Sequence, residues 1–315
     1  SMTSKAKSLG VKPGWYGNNC RCKEQQTRCH MNANETNDSC FRGDVEATLN
    51  FGFESIKLDG CGDQKNVTHY AKLVRITFRI YIYIYFSNSP TYSRNCLELS
   101  YSFSKLQFNE SGVPVMIENC HNGLPTYPYF DENHQVVCPM NFFRSSTDIR
   151  PTFGSVLINL RTTSAYNDPK LTGPGCWSYP DMLEVGVTNS QHPNFPTLSF
   201  VEARTHFSAW CIVSSPLVLG NDLRDQEKMD EIWPIISNRE AIAVNQAWAG
   251  DSGTLIKQSD EETHFSNCSW FNNDGCSHPS FMIWKKVLAM SDDDDKTVRE
   301  VAVLLMNNAN VSHDL

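Results

Sequence analysis

Six short apolar runs between residues 11 and 222, each ending beside a polar residue, limit the fold more than any other feature of the sequence. The segments between them can hold a helix that crosses back over a sheet. The runs read VKPGWYGN, ESIKLDG, PVMIENC, NFFRSSTD, DMLEVG and PLVLGND. This alternation predicts parallel strands joined by crossover segments.

Helix signals are clearest after residue 198. Ser199 and Glu202 form a capping box ahead of a helix that can bury a face around Phe207. Residues 225–246 read as a further helical stretch that is interrupted near Pro234. Both segments suit the helical layer of an α/β domain.

The pattern changes after residue 250. Alternating runs such as FMIWKKVLAM and REVAVLLMNN predict antiparallel strands in residues 251–315. Residues near 75–105 alternate Tyr and Ile where a crossover helix is expected, which predicts an atypical insertion with strand character.

Charge and hydropathy exclude several classes of partner. The net charge is -8 and the basic residues are scattered, so neither a nucleic-acid stripe nor a basic membrane patch is expected. The longest apolar run, RIYIYIYF, is far too short to cross a bilayer. The sequence has no convincing glycine-rich phosphate loop and no nucleophile elbow, and it implies no cofactor.

Twelve cysteines occur together with six asparagine glycosylation sequons, which favours disulfides in an oxidising compartment over a zinc site. A zinc site in residues 20–40 is the alternative, but its spacings match no standard ligand pattern. We therefore expect a secreted or lysosome/vacuole-like protein. The chain opens SMTSKAKS, which does not have the pattern of a signal peptide, so we expect the native N-terminus to lie upstream.

Five carboxylates follow apolar runs, where strand ends would bring them together: Asp59, Glu118, Asp148, Asp181 and Asp222. Converging carboxylates without a histidine-rich metal set are typical of glycosidic bond hydrolysis, in which one attacks the anomeric carbon and another protonates the leaving oxygen. We interpret Glu118 as a residue that contacts side chains of the site rather than the substrate. Asp222 is interpreted as a structural partner of Arg224.

Four segments in order, IKLDGCG, RSSTDI, CWSYPDMLEVG and EARTHFSAWCIVSSPLVLGNDLR, closely resemble glycoside hydrolase family 27, the α-galactosidase/melibiase family. The resemblance runs from about Leu9 to the end of the chain. It implies a retaining exo-glycosidase that removes terminal α-linked galactose, built on a (β/α)8 TIM barrel followed by an antiparallel β-sandwich.

The same resemblance implies the domain organisation. Residues 1–250 would form an incomplete (β/α)8 catalytic barrel without its first two strand–helix units, and residues 251–315 part of the C-terminal β domain. The family's tryptophan and paired aspartates that grip the sugar have no counterpart here. We therefore expect this chain alone to be poorly active. A homodimer is compatible with the resemblance.

Two catalytic roles carry over by motif. Asp59 matches the family's nucleophile and Asp148 its acid/base residue. Lys57 and Arg144 match basic residues that hold sugar hydroxyls and favour an ionised nucleophile. The chemistry needs the two carboxyls about 5 Å apart, and an apolar wall would keep Asp148 protonated.

The remaining sugar-site residues carry over in the same way. Tyr16 matches a tyrosine that lines the pocket, and Asp181 with Met182 match residues that close it. Cys20, or instead Cys22, matches the family cysteine that forms a disulfide with the cysteine beside the nucleophile, which is Cys61 in this chain. Cys268 and Cys276 could close a short loop in the β domain.

One departure bears on specificity. The family's loop usually carries a glutamate and a tryptophan where this chain has His121 and Asn122. The sequence therefore does not decide which sugar is bound. The alternatives are an α-N-acetylgalactosaminidase or a β-L-arabinopyranosidase on the same scaffold, or a catalytically dead carbohydrate-binding fragment.

Overall fold

The computed structural model describes residues 1–17, 38–59, 114–120, 128–167, 170–188, 196–268, 275–290 and 298–309. Cys20, His121 and the predicted insertion near 75–105 lie outside these residues. The chain divides into two compact units, Ser1–Phe143 and Arg144–Leu315. The predicted domain limit at residue 250 is a different division and stays a prediction.

The described part of the first unit contains two helices and a series of short strands. In chain order they are α1 (Met2–Ser8), β1 (Gly14–Gly17), α2 (Asp38–Asn50), β2 (Ser55–Asp59), β3 (Met116–Cys120), β4 (Tyr129–Phe130), β5 (Val136–Val137) and the start of β6 (Phe142–Arg144). The unit boundary falls inside β6, after Phe143.

The strands β1, β2, β3 and β6 lie side by side in that order, and all their pairs are parallel. They correspond to the first four apolar runs, so the parallel prediction is confirmed for them. Within β2 and β3, Ile56, Leu58 and Ile117 are buried, whereas the residues between them are more exposed. Because side chains alternate across a strand, the polar residues between them share the opposite face.

The described part of the second unit mixes helices with antiparallel strands. Its elements are α3 (Phe153–Thr162), α4 (Ser164–Asn167), β7 (Trp177–Tyr179), α5 (Phe200–Ile212), α6 (Gln226–Ile236), α7 (Arg239–Gln246), β8 (Thr254–Gln258), β9 (Glu262–Phe265), β10 (Cys276–Pro279), β11 (Phe281–Met290) and β12 (Val298–Asn307).

The parallel order continues at the start of this unit. The Ser145 N–H donates to the Tyr179 carbonyl over 3.0 Å, which sets β7 beside the chain that leaves β6. The last two predicted runs meet as one parallel bridge between Leu183 and Leu219. This arrangement is that of part of a (β/α)8 barrel.

The strands after residue 250 are antiparallel, as predicted. One sheet has the order β12-β11-β8 and a second pairs β10 with β9. The Cys268–Cys276 disulfide closes a loop between β9 and β10, which confirms the predicted pairing. These strands form part of the β-sandwich that follows the barrel.

The core of the second unit joins its helices to its strands. Phe207 and Trp210 of α5 belong to one buried cluster with Trp284 of β11. The predicted capping box of Ser199 and Glu202 is present at the start of α5.

Pro234 lies inside α6. The break between α6 and α7 falls after Ile236, at residues 237–238. The predicted interruption near Pro234 is therefore present, but it begins after the proline, because the helix continues through Pro234.

Among the described residues, none of the helices combines the length and the apolar character that a membrane crossing requires.

Candidate active site

Three side chains form a row across neighbouring strands of the first unit. Tyr16 on β1 pairs in register with Lys57 on β2, and Lys57 pairs with Glu118 on β3. The Lys57 Nζ lies 3.0 Å from Glu118 Oε1 and 5.6 Å from the centroid of the Tyr16 ring. Asp59, the last residue of β2, follows Lys57 on the same face because it is two positions further along.

A cavity of about 310 Å³ lies along the starts of these strands. Tyr16, Lys57 and Glu118 contribute to its wall, whereas Asp59, at the end of β2, is not part of the lining. Phe142 of β6 and the small residues Gly14 and Ser55 complete much of the lining. Its size falls at the lower end of the range of small-molecule sites. An aromatic ring, an ammonium and a carboxylate around one cavity can bind a hydroxyl-rich ligand.

The second candidate carboxylate, Asp148, lies in the second unit, four residues after β6. Its Oδ1 accepts a hydrogen bond from Arg144 Nη2 over 3.1 Å, and its side chain is 74% exposed. A side chain so exposed is not enclosed by an apolar wall, in contrast to the expectation from the sequence. Arg144 and Asp148 are thus in contact, in an open environment.

Arg144 is held mainly by Asp181. Its Nη2 lies 2.8 Å from Asp181 Oδ2, and both side chains are almost fully buried. The Asp181 carboxylate also accepts the backbone N–H groups of Ile149 over 2.9 Å and Met182 over 2.8 Å. Hydrogen bonds to a charged carboxylate are among the strongest in proteins. In this unit Asp181 therefore acts as an internal anchor for Arg144.

Two further features describe the Asp181 turn. Asp181 has a φ of +92°, which L-residues rarely adopt. Its carbonyl accepts a hydrogen bond from the indole Nε1 of Trp210 over 2.7 Å, which ties the turn to α5. Met182, the next residue, is partly buried and packs against the core cluster.

Sequence reasoning missed a buried pair behind this turn, Glu184 and His206. The His206 Nε2 accepts the backbone N–H of Glu184 over 3.0 Å. Burial, together with the charge of Asp181, raises the pKa of Glu184 to about 8, and burial lowers the pKa of His206 to about 3. Near neutral pH both side chains are thus uncharged. The signal in the sequence was a glutamate inside the apolar stretch MLEV.

The remaining acidic residue, Asp222, forms the predicted structural pair. Its carboxylate takes two hydrogen bonds from the Arg224 guanidinium, over 2.9 and 2.8 Å, on an exposed surface. These hydrogen bonds lower the pKa of Asp222 to about 2. Among the described residues, no group of three or more His, Cys, Asp or Glu side chains has the arrangement of a metal site.

Comparison with known proteins decides the family. The model of the alpha galactosidase A family matches residues 83–247, which is just over half of the chain. The chain belongs to this family. The matched residues include Arg144, Asp148, Asp181 and Met182, whereas Lys57 and Asp59 lie before them.

Individual relatives match stretches of different length. Alpha-galactosidase 3 of Arabidopsis thaliana is 36% identical over 124 residues, which are 38% of this chain and 25% of that protein. Human alpha-galactosidase A is 28% identical over 178 residues, 54% of this chain and 39% of that protein. The matches thus span between a quarter and two fifths of these relatives.

Solved structures extend the likeness of fold to nearly the whole chain. An alpha-galactosidase from Saccharomyces cerevisiae matches 97% of this chain and 58% of its own, with a TM-score of 0.59 and 18% identity. A Bacteroides fragilis protein described as a putative alpha-galactosidase/melibiase matches 98% of this chain and 53% of its own, with a TM-score of 0.60 and 16% identity. The chain has the family's fold over little more than half the length of these proteins.

Proposed function

We propose that this chain carries the catalytic residues of a retaining exo-α-galactosidase, which hydrolyses terminal α-linked galactose from oligosaccharides or glycoconjugates. The observation that carries the proposal is the position of Lys57 and Asp59 on one face of the parallel strand β2, with Asp59 as its last residue, in a chain of the alpha-galactosidase A family. In barrels of this kind, reactive groups lie at the carboxyl ends of the strands.

In the proposed mechanism, Asp59 attacks the anomeric carbon while Asp148 gives a proton to the leaving oxygen. The bond between the anomeric carbon and that oxygen breaks, and a covalent glycosyl–Asp59 ester forms. Asp148 then removes a proton from water, which attacks the same carbon and releases galactose with its configuration retained. This double displacement requires the two carboxyls to approach to about 5 Å.

The other side chains take binding roles in this proposal. Lys57 and Arg144 would donate hydrogen bonds to sugar hydroxyls, and Tyr16 would line the pocket beside them. Asp181 would act by holding Arg144, because its carboxylate is already engaged by that guanidinium and two backbone N–H groups. Met182 would help to close the sugar site, and His121 and Cys20 complete the proposed set.

A secreted or lysosome/vacuole-like location belongs to the same proposal. The disulfide between Cys268 and Cys276 and the disulfide-bonded state of Cys138 and Cys176 support it, because such bonds persist in oxidising compartments. The proposed partner is an α-galactoside carbohydrate, and a homodimer would be compatible with this location.

A slowly turned-over galactosyl fluoride tests the nucleophile directly. Asp59 would displace fluoride from the anomeric carbon, and the covalent sugar would be located by intact-mass and peptide mass spectrometry. Asp59→Asn should abolish labelling. Asp148→Asn should retain it, since fluoride leaves without protonation, yet lose hydrolysis of an unactivated galactoside.

Each outcome discriminates between functions. A folded chain that is labelled on another carboxylate, or that is still labelled after Asp59→Asn, would contradict the nucleophile assignment. A chain that binds galactose in calorimetry but is never labelled would instead support the carbohydrate-binding alternative. Parallel assays with N-acetylgalactosaminyl and arabinopyranosyl substrates would decide the sugar.

A further inference from the structure

Glu118 occupies an unusual position, inside a strand and directly across from a candidate sugar-binding lysine. The parallel register aligns it with Lys57 on one side and Phe142 on the other. Its side chain is 14% exposed and that of Lys57 is 20% exposed, so the ion pair of 3.0 Å is largely removed from water. A pair in such a place interacts more strongly than one on the open surface.

Lysine needs such a partner to keep a fixed place. Its ammonium sits on a flexible four-carbon stem and can point in many directions. Here it lies against the Tyr16 ring and beside the Glu118 carboxylate, within the wall of the cavity. These contacts hold the ammonium over the face that also carries Asp59.

We infer that Glu118 is a positioning residue of the active site: it fixes the Lys57 ammonium in the cavity and offsets part of its charge beside Asp59. The inference rests on the proposed function, because it concerns the charge next to the proposed nucleophile. Lys57 thus has Glu118 across the strands at 3.0 Å, while Asp59 lies two residues further along its own strand.

The other groups on this face are mostly uncharged. β1 contributes Tyr16, and β3 contributes Cys120, which aligns with Asp59 in the parallel register. β6 contributes the apolar Phe142 and, two positions further along, Arg144, whose guanidinium is already engaged by Asp181 and Asp148. Among the described residues at these levels of the four strands, charge is thus carried by Lys57, Asp59, Glu118 and Arg144.

For Glu118→Gln, the expected effect on Asp59 has a definite direction. The glutamine keeps an oxygen that can accept from Lys57 but removes the negative charge, so the ammonium acts on Asp59 without compensation. The carboxyl carbon of Asp59, followed by NMR in the purified chain, should therefore titrate at lower pH than in the unsubstituted chain. Labelling by the galactosyl fluoride should extend to lower pH by a similar amount.

Glu118→Leu distinguishes the fixing of the Lys57 ammonium from the effect of the negative charge of Glu118. Without any acceptor the ammonium is no longer fixed, and labelling should slow about tenfold at its optimal pH, whereas Glu118→Gln should stay within about twofold there. Glu54→Gln is the matched control, since Glu54 pairs with Lys7 over 3.1 Å in the same unit but at the surface. It should change neither the titration nor the labelling.

The NMR titration needs no sugar, so it tests the inference separately from the proposed function. An Asp59 titration that is the same in Glu118→Gln and in the unsubstituted chain would overturn the inference, even if labelling proceeds. A shifted titration in a chain that is never labelled would support the inference and contradict the proposed function. If Glu118→Gln does not fold, Glu118→Asp replaces it: the shorter carboxylate should withdraw from Lys57 and lower the Asp59 titration by a smaller amount.

Discussion

In the first unit the Lys57 ammonium lies at the wall of a cavity, where Tyr16 is 45% exposed, whereas in the second unit the Arg144 guanidinium lies buried against Asp181. Both cations are predicted to contact sugar hydroxyls. The first belongs to a row of separate side chains on a sheet face. The second belongs to a network that also fixes a backbone turn, so its loss should reach much further.

Replacement of the buried cation should have the largest effect on stability. Arg144→Met leaves the buried Asp181 carboxylate without its charged partner, and we expect a loss of about 3–5 kcal/mol in the free energy of unfolding. Chemical denaturation followed by tryptophan fluorescence measures it.

Arg224→Met is the control for Arg144→Met, because Arg224 pairs with Asp222 on the open surface. Its denaturation midpoint should match that of the unsubstituted chain. A midpoint for Arg144→Met that also matches would show that the Asp181 turn is held by its backbone hydrogen bonds alone.

The buried network should also make the second unit sensitive to pH through Glu184. Its pKa in the folded chain is raised to about 8, above the ordinary value of 4.5, by burial first and by Asp181 second. The folded state therefore binds the extra proton, and stability falls as pH rises from about 4.5 to 8. Glu184→Gln should remove this loss, a gain on the order of 3 kcal/mol near pH 7.

Denaturation midpoints of the Glu184→Gln variant and the unsubstituted chain should converge near pH 4.5 and diverge towards pH 8. Glu227→Gln, at the exposed start of α6, is the control. Glu202→Gln would not serve, because Glu202 caps α5. Parallel pH curves for Glu184→Gln and the unsubstituted chain would contradict a buried neutral Glu184.

The smallest effect on stability is expected for Lys57→Met. The neighbouring Glu118 faces the cavity and can be reached by water more easily than Asp181, so we expect a loss of about 1–2 kcal/mol. Labelling of Asp59 should nevertheless fall strongly. Lys7→Met, which breaks the surface pair with Glu54, is the control for both measurements. A stability loss as large as that of Arg144→Met would remove the contrast between the two units.

The parallel core of the fold was predictable because its strands are marked by apolar runs. Four of the six runs form β1, β2, β3 and β6, and the last two form the bridge between Leu183 and Leu219. β7 was not predicted as a strand of its own, since Trp177–Tyr179 is short and, unlike the equally short β6, does not lie in one of the apolar runs. Such a short segment is defined by its neighbours rather than by its own pattern.

Part of the candidate site was predictable and part was not. Motifs singled out both Arg144 and Asp148, but their contact with each other was not predicted. The exposure of Asp148 and the burial of Glu184 depend on what packs around each carboxyl, which a linear sequence does not record. Pro234 shows the same limit: its ring is tolerated inside α6, and the helix ends later than local propensity indicates.

Position 181 has little room for change in the course of evolution. Its backbone, at a φ of +92°, favours glycine or asparagine, whereas the buried Arg144 requires a carboxylate. Glycine would relax the chain and lose the charge, and asparagine would keep the shape and leave the guanidinium uncompensated. Glutamate would keep the charge but move it one methylene away from the backbone N–H groups that bind the aspartate. Aspartate alone meets both demands, so a library of all substitutions at this position should return aspartate as its only fully stable member.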